Sequence, residues 1–165
     1  MDYSLTLLRA PLFRGIPRED LPGLLEGLDA REHRYGRGET VLRRGERADR
    51  MGLVLSGTLH IVKEDFWGSR TIVGLARPGE VFAESYACLE GEPLEVSVLA
   101  AEAAEALFLN SGRTLPDDLP GAAIFTRNLL TMLAGRNLAL TRKIGHMARR
   151  SIRDKLLSYL SAQAM

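Results

Sequence analysis

The chain has 165 residues, 45% apolar, 26% charged and 6% aromatic, with 22 Lys+Arg against 21 Asp+Glu and a net charge of +1. A chain of this length buries roughly two-thirds of its unfolded surface, enough for one core without disulfides or metal, and its charge balance excludes intrinsic disorder. No run approaches the ~20 consecutive apolar residues that span a bilayer, and the start MDYSLTLLRAPLF lacks the basic opening of a secretory signal, so a soluble cytoplasmic protein with no membrane partner is expected.

The first stretch, 1–36, reads as helical. A short helix over Ser4 to Arg9 stops before Pro11. A second is predicted from Ile16-Pro17-Arg18-Glu19-Asp20, where a proline and two acids suit a helix start, with Leu21, Leu24, Leu25 and Leu28 on one face.

From about Arg37 to 115 the apolar period changes to two. Strand-like runs include Leu53–Leu55, Leu59–Val62, Thr71–Val73, Val96–Leu99 and Ala106–Leu109. Gly38, Gly45, Gly57, Gly68, Gly79 and Gly91 punctuate them every 7 to 12 residues, the rhythm of an antiparallel barrel or jelly roll. Such an interior is small, apolar and able to enclose one small ligand. Cys88, the single cysteine, has no disulfide partner and is expected to be a small buried hydrophobe.

The last part begins at Pro116, and no proline follows Pro120, so a long helix over 116–150 is predicted. Counted in sevens, Leu130, Asn137 and Ile144 share an a position, and Leu133, Leu140 and Met147 share a d position. This seam favours a parallel homodimer, with Asn137 fixing the register. Phe125, Leu129 and Met132 form a separate apolar face suited to packing on the barrel.

Four motifs in order carry a family resemblance. They are Leu12-Phe13-x-Gly-Ile-Pro-x-Glu-Asp-Leu21, Arg43-Arg44-Gly45-Glu46, Leu55-Ser56-Gly57-Thr58-Leu59 and Pro78-Gly79-Glu80-x-Phe82-Ala83-Glu84. With the helix that follows, they closely resemble the Crp/Fnr family of bacterial transcription regulators over nearly the whole chain.

The resemblance implies an α+β, mainly β fold. An antiparallel jelly-roll (double-stranded β-helix) barrel, like a cyclic nucleotide-binding domain, is flanked by N-terminal helices and a long C-terminal dimerisation helix. It also implies a small-molecule effector held between barrel and helix, whose binding repacks the subunit seam. In the family a DNA-reading winged helix-turn-helix follows that helix. Here Ser151 to Ser161 resembles only its first helix, so 151–165 is expected to be the start of a missing domain, through which alone the chain would contact DNA.

Charge supports the same division. Residues 1–119 carry 14 basic and 20 acidic side chains, a net −6, whereas 120–165 carry 8 and 1, a net +7. Arg142, Lys143, Arg149, Arg150, Arg153 and Lys155 concentrate near the end where DNA would be read.

Cyclic nucleotide-binding members of the family carry a Gly-Glu pair and, about ten residues on, Arg-Ser or Arg-Thr. The glutamate accepts a ribose hydroxyl, and the arginine pairs with the cyclic phosphate. Here Glu84 matches the glutamate, but Ala83 replaces the glycine, and Leu94 and Glu95 replace the arginine and hydroxyl residue. An ionised Glu95 repels a phosphate, so cyclic AMP and cyclic GMP are disfavoured as effectors. Arg70 and Arg77 are the candidate substitutes for the lost cation. The expected effector site comprises Gly79, Ala83, Glu84, Ser85, Leu94 and Glu95 of the barrel with Leu140 and Thr141 of the helix, suited to a less anionic molecule.

No cofactor is predicted. One cysteine excludes an iron–sulfur sensor, and Ala83 and Ser85 stand where haem-binding relatives carry a ligand. Of His33, His60 and His146, His60, alone within the barrel, reads as a strand-surface imidazole and His146 as a solvated helix residue. No nucleophile elbow, phosphate loop or zinc-helix motif is present, so no catalytic residue, no metal site and no enzyme is expected. Two other readings remain: a free-standing effector domain that regulates a partner protein and, more remotely, a cupin-like metalloenzyme, which needs two or three converging histidines.

Overall fold

The computed structural model describes residues 4–89, 91–111, 115–116 and 118–147. Two compact units divide the chain, 1–128 and 129–165. Helix α1 spans Ser4–Arg9, and a 3-10 turn follows at Pro11–Phe13. Helix α2 is Leu21–Gly27. It starts later than the prolines and acids predicted, because residues 17–20 close a turn in which the Asp20 amide donates to the Pro17 carbonyl at 3.1 Å.

Eight strands follow: β1 Arg31–Tyr35, β2 Thr40–Leu42, β3 Met51–Ser56, β4 Leu59–Glu64, β5 Arg70–Ala76, β6 Val81–Phe82, β7 Ser97–Ala100 and β8 Ala104–Leu109. A short helix, α3, occupies Glu84–Ala87, and α4 runs Ala122–Met147. The strands form two antiparallel four-stranded sheets, ordered β1-β8-β3-β6 and β2-β7-β4-β5. Pairing is symmetric about the β4–β5 hairpin: β4 with β5, β3 with β6, β2 with β7 and β1 with β8. One long hairpin is therefore rolled up, which is a jelly roll.

Two stretches differ from the sequence reading. Strand β1 lies inside 1–36, the segment read as helical. It pairs only with β8, and Arg31, Glu32, His33 and Arg34 are all exposed and carry no apolar alternation. His33 therefore also lies on a barrel strand, 5.5 Å from the Phe108 ring in edge-to-face contact, which corrects the placing of His60 as the barrel's sole histidine. Cys88 is exposed, not buried, because it lies just past α3, with its Sγ 3.8 Å from the Ser111 hydroxyl.

The core between the sheets is built from Val54, Leu59, Ala76, Phe82, Val98, Ala100, Ala104, Ala106 and Phe108. Phe82 and Phe108 meet edge to face at 5.8 Å. Phe82 lies over Gly52, where a β-carbon would fall 2.0 Å from the ring. Met51, Leu53 and Leu55 alternate onto the opposite face of β3 from Gly52 and Val54, and they too are buried. Strand β3 is thus covered on both faces, and the period-two signal disappears there.

Phe125 is buried and meets the Phe13 ring at 5.7 Å, while Asn128 Nδ2 donates to the carbonyls of Leu12 and Arg14 at 3.1 and 2.9 Å. In the second unit the heptad positions fall on α4, with Leu130, Leu140 and Ile144 exposed by 62%, 60% and 66%. The side chain of Met147, and all of 151–165, lie outside the described residues.

Candidate functional site

Three turns of one design recur in the barrel, and the second and third of them border the site. In Gly36–Glu39, Arg43–Glu46 and Arg77–Glu80 the fourth residue's amide donates to the first residue's carbonyl, at 3.1, 3.1 and 2.9 Å. The glutamate side chain then accepts the first residue's amide, at 2.7, 3.2 and 2.8 Å. The third residue, Gly38, Gly45 or Gly79, has φ of +83°, +86° and +86°, which the turn demands and glycine supplies without strain. The repeated Gly-Glu pair was visible in the sequence, but the reach of each glutamate back to its own turn was not.

The Gly79 turn is pinned to β3 on both sides, with the Gly79 amide on the Val54 carbonyl at 2.9 Å and the Val54 amide on the Glu80 carbonyl at 3.0 Å. From there β6 runs into Ala83, whose φ of 58° and ψ of 13° place a non-glycine residue in the left-handed region. A β-carbon there costs roughly 1 kcal/mol relative to glycine. Helix α3 begins immediately after it and packs on β3.

Glu84 is buried, 5% exposed, and with Ser97 is one of two buried polar or charged side chains among the described residues. Among the described residues no buried side-chain oxygen or nitrogen lacks a hydrogen-bond partner. Ser85, the next residue, is exposed.

Leu94 is the most telling residue. Its side chain is 2% exposed, and its backbone is clamped to the second Gly-Glu turn: its amide donates to the Glu46 carbonyl and its carbonyl accepts the Gly45 amide, both at 2.8 Å. Arg47 and Pro93 add a bridge alongside. A buried leucine thus stands where the family resemblance implies an arginine. Glu95 is exposed, and its amide donates to the Tyr86 hydroxyl of α3 at 3.4 Å. Tyr86 was missed by sequence reasoning, since a lone tyrosine in a short helix carries no spacing signal.

Of the predicted site residues, the first unit holds Gly79, Ala83, Glu84, Ser85, Leu94 and Glu95 along one continuous stretch, with Glu84 and Leu94 inward and Ser85 and Glu95 outward. Leu140 and Thr141 lie on α4 in the second unit; both are exposed, and the Thr141 hydroxyl donates to the Asn137 carbonyl at 3.0 Å. Arg70 is engaged with Glu64 at 2.6 Å, which occupies one of the two candidate substitute cations. Among the described residues no group of three or more His, Cys, Asp or Glu side chains is placed to hold a metal ion, and no helix is long and apolar enough to cross a membrane.

Comparison with known proteins places this geometry. The family model described as cyclic nucleotide-binding domain matches residues 32–115. The chain is 30% identical over 129 residues to the cyclic AMP receptor protein of Thermus thermophilus, covering 77% of this chain and 57% of that protein. It is also 30% identical over 103 residues to a cAMP-dependent protein kinase regulatory subunit of Mycosarcoma maydis, covering 62% of this chain and 19% of that one. The chain therefore spans little more than half the length of one relative and about a fifth of the other. Among solved structures, the sensor domain of the transcriptional regulator DNR from Pseudomonas aeruginosa is similar with a TM-score of 0.64 at 19% identity, over 92% of this chain and all of that one. At that identity the likeness shows the fold alone.

Proposed function

Because the chain belongs to the cyclic nucleotide-binding domain family, with Crp/Fnr-type regulators among its relatives, we propose that it is the ligand-sensing, dimerising domain of such a transcription regulator, with an effector other than a cyclic nucleotide. The observation that carries this reading is Leu94. A buried cation at that position would neutralise a bound phosphate, and a leucine clamped there by two backbone bonds offers no charge. Glu95 adds a negative charge where a hydroxyl donor would serve.

The effector is then a small molecule of lower negative charge, met by Gly79, Ala83, Glu84, Ser85, Leu94 and Glu95. The apolar seam of Leu130, Leu133, Asn137, Leu140, Ile144 and Met147 supports a homodimer. DNA would be contacted through a winged helix-turn-helix beyond 151–165.

Restoring the family pattern tests the reading. The triple variant Ala83→Gly, Leu94→Arg, Glu95→Ser is expected to gain cyclic AMP binding by at least about tenfold over the parent, since one charge-assisted bidentate pair contributes about 1.5–3 kcal/mol. A folded triple variant that binds no better than the parent would contradict the assignment of these positions.

The match to a kinase regulatory subunit supports a second reading, an effector domain that controls a partner protein and reads no DNA. The gene downstream of residue 165 separates the two: an encoded helix-turn-helix selects the first reading, and any other domain the second.

A further inference from the structure

A cleft of about 290 Å³, not lined by any residue from Glu84 to Leu94, lies between the end of α1 and the third Gly-Glu turn. Thr6, Arg9 and Pro11 form one side, and Pro78, Gly79 and Glu80 the other. The two sides carry opposite charge. Among the described residues Arg9 and Glu80 make no ion pair with each other.

Both walls are held in place by bonds that do not use the cleft. Glu80 has one carboxylate oxygen on the Arg77 amide at 2.8 Å, and its turn is pinned to β3. The facing wall is fixed where the Ala10 amide meets the Thr6 carbonyl at 2.9 Å, and a β-carbon on Gly79 would sit 3.8 Å from the Ala10 α-carbon. The charges thus face a preformed space, which favours a ligand that brings its own opposite pair.

We propose that this cleft is a second small-molecule site, for a free amino acid or a zwitterion of that size. Arg9 takes the carboxylate, Glu80 the ammonium, and the rings of Pro11 and Pro78 cover a short apolar body. A volume at the low end of the ~300–1,000 Å³ usual for ligand sites excludes a nucleotide-sized molecule. The proposal does not rest on the cyclic nucleotide reading, because none of its residues except Gly79 is shared with that site.

Titration of the ¹⁵N-labelled chain followed by amide NMR shifts provides the test, with glycine, L-alanine and L-leucine as probes and acetate and methylammonium as half-ligands. Saturable shifts at Thr6, Arg9, Gly79 and Glu80 are expected in the millimolar range, with each half-ligand at least about tenfold weaker. Arg9→Gln and Glu80→Gln should each weaken binding about tenfold. Glu80→Gln retains an oxygen to accept the Arg77 amide, so its loss of binding reads charge and not turn geometry. No saturable shift up to about 50 mM, which is weaker than any useful site, would overturn the proposal. So would acetate binding as well as an amino acid, or shifts centred on Glu84 and Leu94.

Discussion

The strands of the barrel come from one rolled hairpin, but its inner and outer strands are covered very differently. In the β1-β8-β3-β6 sheet, β3 is buried from Met51 to Leu55 and β8 is buried at five of its six residues. In the β2-β7-β4-β5 sheet, β5 is an outer strand with Ile72, Val73 and Leu75 exposed by 55%, 54% and 42%. The same residue types therefore carry very different energetic weight. Burial on β5 is set by its place at the end of a sheet and not by how apolar the strand is.

That contrast can be broken most severely at Phe82. Phe82→Ala removes the ring lying over Gly52 and against Phe108, and about 3–5 kcal/mol of stability should be lost. Denaturant unfolding measures this, and a loss below about 1 kcal/mol would show that the Gly52–Phe82 contact does not organise the sheet.

A smaller effect is expected at the clamp that leads into β1. Asp29 follows α2 in a left-handed conformation, with φ of 45°, and is held by Arg50 and Arg31. The hydrogen bond from Arg50, and then that from Arg31, lowers the Asp29 pKa below its ordinary 3.8. A carboxylate held low in the folded state contributes stability above its unfolded pKa, and that contribution fades as pH falls through the folded value. Asp29→Asn should therefore be less stable than the parent at neutral pH, with the gap narrowing below about pH 3.8. A gap independent of pH would assign the loss to packing alone.

The smallest effect is expected on the exposed outer strand β5. Val73→Thr on β5 should change stability by less than about 0.5 kcal/mol, as exposed substitutions do. A loss above about 1.5 kcal/mol would mean that something covers β5, and would erase the contrast.

Much of this fold was legible in the sequence, and the exceptions share a cause. Helix α1, the cores of five strands and the glycine turns followed from local chemistry, because Pro11 stops a helix and positive φ selects glycine. All six glycines used as punctuation adopt positive φ. Strand β1 was hidden because its charged residues sit on an edge, and its partner β8 is about 70 residues away in sequence. Cys88 was misplaced because residue type alone does not reveal the end of a four-residue helix. In the candidate site, the departures Ala83, Leu94 and Glu95 were readable from the family pattern. The depth of Leu94 was not, because it depends on a clamp to Gly45 and Glu46 nearly fifty residues earlier in the chain.

We propose that this cyclic nucleotide-binding domain takes an effector other than a cyclic nucleotide. Isothermal titration of the unmodified protein with cyclic AMP and cyclic GMP tests it directly. No binding tighter than about 1 mM, or about −4 kcal/mol, is predicted for either. A micromolar dissociation constant for one of them would contradict the account.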